Sequence, residues 1–122
     1  MLSTGRYLYV VFMCQQAIEK LVKGLYVLFC EGEPPRTHSI SIVFKKVVDH
    51  SDKFEDLESY LEKRGQYGSF FERLLAYYIA ERYPSYKEKL SETVDRREAT
   101  EVLSTTEEVF KWLLSLKQYA PE

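Results

Sequence analysis

The most constraining feature of this 122-residue chain is a long series of apolar residues spaced alternately four and three positions apart. Such spacing places the side chains on one face of an α-helix, and it predicts a helix from about Arg6 to Cys30. Phe12, Tyr26 and Phe29 add apolar surface on neighbouring faces. A helix covered on several sides in so small a domain is expected to contact another subunit. The series comprises Tyr7, Val11, Cys14, Ile18, Leu21, Leu25 and Leu28.

Four further helical segments are predicted downstream from the same kind of periodicity, over about residues 40–49, 52–64, 69–82 and 95–118. Gly32 suits the C-terminal cap of the first helix. Thr37 or Ser39 is expected to cap the second helix at its N-terminus. The sequence of Asp95–Glu98 has the pattern of a capping box and should begin the last helix.

Two kinds of helix-breaking residue divide these segments. Gly65 and Gly68 are expected to separate the third helix from the fourth. Pro84 disfavours helical geometry at Tyr83, so the fourth helix should end there, and the polar stretch 85–94 is predicted to be a loop. Strand-like alternation is scarce, and length indicates one domain over residues 1–122. The predicted fold class is therefore all-α, an antiparallel up-and-down bundle of about five helices.

The charge distribution limits what the chain can bind. Its net charge is −2, made up of +2 in residues 1–50 and −4 in residues 51–122. This balance argues against a broad nucleic-acid platform, which needs a basic surface, but it permits a local anion site in the first half.

The two cysteines indicate a reducing compartment. Cys14 and Cys30 lie about 24 Å apart along the first predicted helix, too far for a disulfide, which requires Cα atoms within about 7 Å. Reduced thiols in the core or an interface favour the cytoplasm. No signal peptide and no uninterrupted run of eighteen apolar residues is evident, so membrane association is not expected.

Three separated motifs stand out along the chain: Gln15-Gln16-Ala17-Ile18-Glu19-Lys20 followed by Lys23, then Pro35-Arg36-Thr37-His38-Ser39-Ile40, and finally Glu81-Arg82-Tyr83-Pro84. Together they resemble the HEPN domain family (higher eukaryotes and prokaryotes nucleotide-binding). The resemblance covers roughly residues 6–118. It implies a helical bundle that pairs as a homodimer and, in prokaryotes, accompanies a minimal nucleotidyltransferase. Many members of the family are metal-independent ribonucleases, and some of those act as toxins.

The sequence departs from the family pattern in two places. Members usually have a full helix before the glutamine-containing helix, whereas only five residues precede Arg6 here, so the family's first helix is expected to be missing or shortened. The ribonuclease signature, an arginine followed four to six residues later by histidine, is absent, because the only histidines are His38 and His50. The catalytic pair of the nuclease members therefore does not map onto this chain.

Four residues are the candidate contacts for a nucleotide or another anion: Lys20, Lys23, His38 and Arg82. Each also has a structural explanation. Glu19 and Lys23 form a favourable i,i+4 pair on a solvated face, His38 can pack against or cap the second helix, and Arg82 suits a helix C-terminus.

Three hypotheses about function follow from these residues. The favoured one is a non-catalytic, nucleotide- or RNA-associated homodimer that works with a minimal nucleotidyltransferase, as in toxin–antitoxin pairs. The second is a metal-independent ribonuclease with an altered site, in which His38 acts as acid or base and Arg36 or Arg82 stabilises phosphate charge. The third is a purely structural dimerisation module.

The remaining predictions concern contact surfaces and cofactors. Phe70, Tyr77 and Tyr78 are assigned to the core or to a dimer seam. No metal or other cofactor is expected, since the cysteines and histidines lack the spacing of a zinc site and no glycine-rich phosphate loop occurs. The residues expected to contact a partner or second subunit are Phe12, Tyr26, Phe29, Tyr83 and Tyr86.

Overall fold

The computed structural model describes residues 2–30, 32–49 and 58–119, and within these ranges the chain forms five α-helices and no strand. The prediction of an all-α helical bundle is confirmed. The first helix packs against each of the other four. None of the described helices is long and apolar enough to span a membrane. The helices are α1 (Leu2–Phe29), α2 (Ile40–Asp49), α3 (Glu58–Arg82), α4 (Pro84–Thr93) and α5 (Arg96–Ser115), the last followed by a 3-10 turn, Leu116–Tyr119.

The buried face of α1 is shifted relative to the predicted one. Leu28, expected inside, is 47% exposed, whereas Gln15 is only 1% exposed and lies in the middle of the buried face. A polar amide can occupy that place because its Nε2 donates a hydrogen bond to Glu19, one turn further along the helix. The residues at the centre of the buried face are Leu8, Val11, Gln15, Ile18, Val22, Leu25 and Phe29.

The predicted break at Gly65 and Gly68 is wrong, because α3 runs through both glycines without interruption. Each glycine inside a helix costs about 1 kcal/mol relative to alanine. Aromatic packing in the same stretch offsets this cost. Tyr67 packs edge-on against Trp112 at 5.1 Å between ring centroids, and Phe71 packs against Phe44 at 5.6 Å. The N-terminal part of the predicted third helix, residues 52–57, lies outside the described residues.

The predicted loop over 85–94 is also wrong, since residues 84–93 form α4. The helix α3 does end at Arg82 as expected, and Tyr83 has extended backbone angles, φ −114° and ψ 113°. Pro84 then occupies the first turn of α4, where a fixed φ suits the helix and the missing N–H is not needed. None of the residues of α4 is buried, and its sequence lacks the repeated apolar positions from which a helix could be predicted.

The predicted N-caps of α2 and α5 are confirmed. The Ser39 hydroxyl accepts a hydrogen bond from the backbone N–H of Ile42 at 3.4 Å. The Asp95 carboxylate accepts one from the backbone N–H of Glu98 at 2.9 Å. The Glu98 side chain is used differently from a capping box, because its carboxylate accepts a hydrogen bond from the Tyr77 hydroxyl at 2.8 Å and so connects α5 to α3.

The two cysteines are unpaired and buried, as predicted. Burial raises the pKa of both thiols. Contacts within the chain already cover Phe12 and Phe29, which are 7% and 6% exposed, and Tyr26 is partly buried against the same core. Of the expected partner contacts, Tyr83 and Tyr86 remain exposed, and their rings meet edge-on at 5.8 Å between centroids.

Candidate functional site

The segment between α1 and α2 determines where His38 is held. Gly32 follows α1 with a φ of +100°, which residues with a side chain rarely adopt, and this conformation redirects the chain. Near the other end, the Thr37 backbone N–H donates to the Pro35 carbonyl at 2.9 Å, and the Thr37 hydroxyl accepts from the Ser39 N–H at 3.1 Å. These bonds fix the backbone on both sides of His38, directly before the N-cap of α2.

Glu19 is the centre of the polar contacts beneath His38. The two carboxylate oxygens lie 3.0 and 3.2 Å from Nδ1 of His38. The Gln15 amide donates to one of these oxygens at 2.6 Å, and the Lys23 ammonium donates to the other at 3.1 Å. Gln15, Glu19 and Lys23 follow one another at intervals of four residues along α1, so the helix itself brings all three groups together.

Tyr78 on α3 completes the surroundings of the His38 ring. The two rings stack with their centroids 4.0 Å apart and their planes inclined by 20°. Arg82, one turn further along α3, donates a hydrogen bond to the Tyr78 hydroxyl, and its guanidinium carbon lies 5.4 Å from the centre of the Tyr78 ring. His38 is thus held at its edge by Glu19 and on its face by Tyr78, and Tyr78 also positions Arg82.

These side chains line an open cleft of about 540 Å³, within the range of ligand-binding pockets, about 300–1,000 Å³. Its lining carries two carboxylates, Glu19 and Glu81, and one arginine, Arg82, and Lys23 pairs with Glu19 from outside the lining. Such a site favours a ligand that offers hydrogen-bond donors as well as one anionic group. We refer to it as the polar cleft, and its lining residues are Gln15, Gln16, Glu19, His38, Tyr78, Glu81 and Arg82.

Two of the four candidate contacts, His38 and Arg82, line the polar cleft and share Tyr78 as a neighbour. Lys23 forms an ion pair with Glu19 and does not line the cleft. Lys20 is exposed and is also not part of the lining. Tyr78, predicted to lie in the core or a dimer seam, instead lines the cleft. Its position four residues before Arg82 places both side chains on one face of α3.

The residue next to Tyr78 faces α5 instead of the cleft. Tyr77 is 5% exposed; its hydroxyl accepts a hydrogen bond from Arg73 at 2.9 Å and donates to Glu98. Arg73 also donates to Glu101 at 2.9 Å. Burial, supported by the bond to Glu98 and opposed by Arg73, raises the pKa of Tyr77 to about 12. This network fixes α3 against α5 and thereby helps to hold Tyr78 and Arg82 in place.

The three motifs named in the sequence analysis meet at the polar cleft: Gln16 and Glu19 come from the first, His38 from the second, and Glu81 and Arg82 from the third. The family model of the HEPN domain matches residues 1–117. The chain belongs to the HEPN domain family. Searches of curated proteins and of solved structures find no match.

Proposed function

We propose that the polar cleft of this HEPN domain binds a nucleotide or a nucleotide unit of RNA, and that the protein acts by binding instead of catalysis. HEPN domains commonly bind RNA or nucleotides. The observation that supports a ligand here is that three sequence motifs, distant along the chain, contribute side chains to one cleft.

The residues in and beside the polar cleft suggest how a nucleotide would be held. The Arg82 guanidinium is the cation of the cleft, and its planar donors suit a phosphate. The Gln16 amide can donate to and accept from a base edge. Lys20 lies one helical turn beyond Gln16, so it can reach a second phosphate of a longer ligand. In this arrangement Lys23 acts indirectly, through Glu19.

Calorimetry of the purified protein with ATP and with a short single-stranded RNA tests the binding role. Arg82→Ala should weaken binding about 10- to 100-fold, since a hydrogen bond to a charged group contributes about 1.5–3 kcal/mol. Arg97→Ala is the matched control, because Arg97 lies beside a different concave surface at the start of α5. No binding of either ligand, or equal weakening by the two substitutions, would rule out the proposed site.

A second candidate function, an RNA-cleaving activity, is favoured by the Glu19–His38 pair. A carboxylate bonded to Nδ1 orients an imidazole so that Nε2 can exchange protons with a substrate, an arrangement known from hydrolytic enzymes. His38 would take the proton of a ribose hydroxyl, and Arg36 or Arg82 would stabilise the phosphate charge. An RNA cleavage assay without metal ions separates the candidates. Equal activity of the native protein and His38→Ala would remove His38 from any mechanism.

The proposed assembly is a homodimer that associates with a minimal nucleotidyltransferase, in a pair of the toxin–antitoxin kind. HEPN domains commonly dimerise, and several large apolar side chains are exposed here. Tyr83 and Tyr86 form one exposed pair, and Tyr9 and Met13 lie one turn apart on the outer side of α1. Sedimentation equilibrium of the native protein and of a Tyr83→Ser, Tyr86→Ser double variant tests the first pair as the dimer contact. A native monomer, or a variant that dimerises equally well, would contradict it.

A further inference from the structure

The hydrogen bonds around Glu19 determine which nitrogen of His38 carries the proton. An ionised carboxylate only accepts hydrogen bonds, so Nδ1 of His38 must donate to Glu19. The carboxylate cannot turn away easily, because Gln15 and Lys23 each hold one of its oxygens. Gln15 is 1% exposed, so its amide has little access to water as an alternative partner.

The second ring nitrogen of His38, Nε2, is left for the cleft. It makes no hydrogen bond within the part of the chain that the structure describes, and the ring lines the polar cleft with its side chain 47% exposed. One face of the ring stacks on Tyr78. When the neutral imidazole carries its proton on Nδ1, Nε2 offers a lone pair and is a hydrogen-bond acceptor.

We propose that Glu19 is a positioning residue that fixes this tautomer and thereby determines which ligand group His38 recognises. The group that meets Nε2 is a hydrogen-bond donor, a sugar hydroxyl or a base N–H, while the anionic part of the ligand lies at Arg82. The ligand half of this inference rests on the proposed nucleotide-binding role. The tautomer half concerns the free protein and stands independently of any ligand.

The tautomer is measured in the ligand-free protein by long-range proton–nitrogen correlation spectra of the imidazoles at alkaline pH, where histidine is neutral. The chain has two histidines, so His50→Gln assigns the signals of His38. The native protein should show the proton on Nδ1. Glu19→Ala should move it to Nε2, and the control Glu81→Ala, which removes the other carboxylate of the cleft, should leave it on Nδ1. A proton on Nε2 in the native protein overturns the inference without any variant.

Glu19→Ala leaves the Gln15 amide without its acceptor, so the fold of this variant is checked by helical circular dichroism. If the variant does not fold, Glu19→Gln replaces it. This substitution keeps the size of the side chain and introduces an amide N–H that can donate to Nδ1, so a population with the proton on Nε2 should appear. Retention of the Nδ1 proton alone in every folded variant at position 19 would refute the positioning role.

Binding of AMP separates positioning from a mere charge effect. A carboxylate that acted only through its negative charge would repel the phosphate. Replacing either Glu19 or Glu81 by alanine would then strengthen binding. We expect Glu81→Ala to bind AMP at least as tightly as the native protein and Glu19→Ala to bind it about 3- to 10-fold more weakly, because an oriented hydrogen bond is lost. Stronger binding by both variants would refute the ligand half. If none of the three proteins binds AMP, the ligand half and the proposed function both fail, whereas the tautomer result stands.

Discussion

Replacing Tyr77 by phenylalanine should remove part of the loss of stability that the protein suffers at high pH. The pKa of Tyr77 is raised from 10.0 to about 12, first by burial and then by the hydrogen bond to Glu98. A group whose pKa is higher in the folded state stabilises the fold fully below its unfolded value. The contribution of Tyr77 is therefore complete below about pH 10 and is lost as the pH rises towards about 12.

The size of the effect follows from the shift. Two pKa units correspond to about 2.7 kcal/mol, and about half of this, 1.4 kcal/mol, should be lost by about pH 11. Arg73 and Glu101 are 36% and 59% exposed, so solvent screens part of the network. After allowing for screening, we expect the free energy of unfolding of the native protein to fall by about 1 kcal/mol more than that of Tyr77→Phe between about pH 8 and about pH 11.

Urea denaturation followed by circular dichroism at both pH values measures this difference. Tyr86→Phe is the matched control, because it removes the hydroxyl of an exposed tyrosine on α4 and should lose the same stability as the native protein. The comparison between variants cancels the titration of lysines and cysteines, which all three proteins share. If the native protein and Tyr77→Phe lost the same free energy of unfolding over this pH range, the description of Tyr77 as a buried link between α3 and α5 would be refuted.

Three further predictions concern caps, the cleft and the thiols. Asp95→Ala should lower the free energy of unfolding by about 1 kcal/mol, because α5 loses its N-cap, and urea denaturation checks this value; no change would show that the cap is not formed in solution. Tyr78→Phe keeps the stack on His38 and should retain more AMP affinity in calorimetry than Tyr78→Leu, which loses both contacts; equal affinities would contradict a role for the ring. Cys14 and Cys30 should react with a thiol reagent only after denaturation, because burial raises the pKa of both; rapid reaction of the native protein would contradict their burial.

The fold could largely be predicted from the sequence where apolar periodicity is strong. The ends of α2 and the N-cap of α5 were recovered because Ser39 and Asp95 are preferred capping residues followed by apolar repeats. The exposed helix α4 was missed because it lacks such a repeat. The continuity of α3 was missed because local glycine signals cannot show that Tyr67 and Phe71 pack against distant aromatic rings.

The candidate site could be predicted only in part, for a similar reason. His38 and Arg82 were selected through family motifs and line the polar cleft. The roles of Gln15 and Tyr78 depend on tertiary contacts. The apolar periodicity of α1 does not predict that a glutamine lies at the centre of its buried face. The local sequence does not distinguish Tyr78, which stacks on His38, from the other nine tyrosines. Lys20 and Lys23 have the charge expected of anion contacts, but neither lines the polar cleft, and Lys23 is paired with Glu19.

The central claim, that the polar cleft is the ligand site, is tested most directly by mapping a bound ligand onto the backbone. Isotope-labelled protein is titrated with a short single-stranded RNA while the amide signals are followed by NMR. We predict that the largest shifts fall at Glu19, His38, Tyr78 and Arg82. Shifts that cluster instead around Asp95–Thr100, beside the concave surface at the start of α5, would contradict the claim.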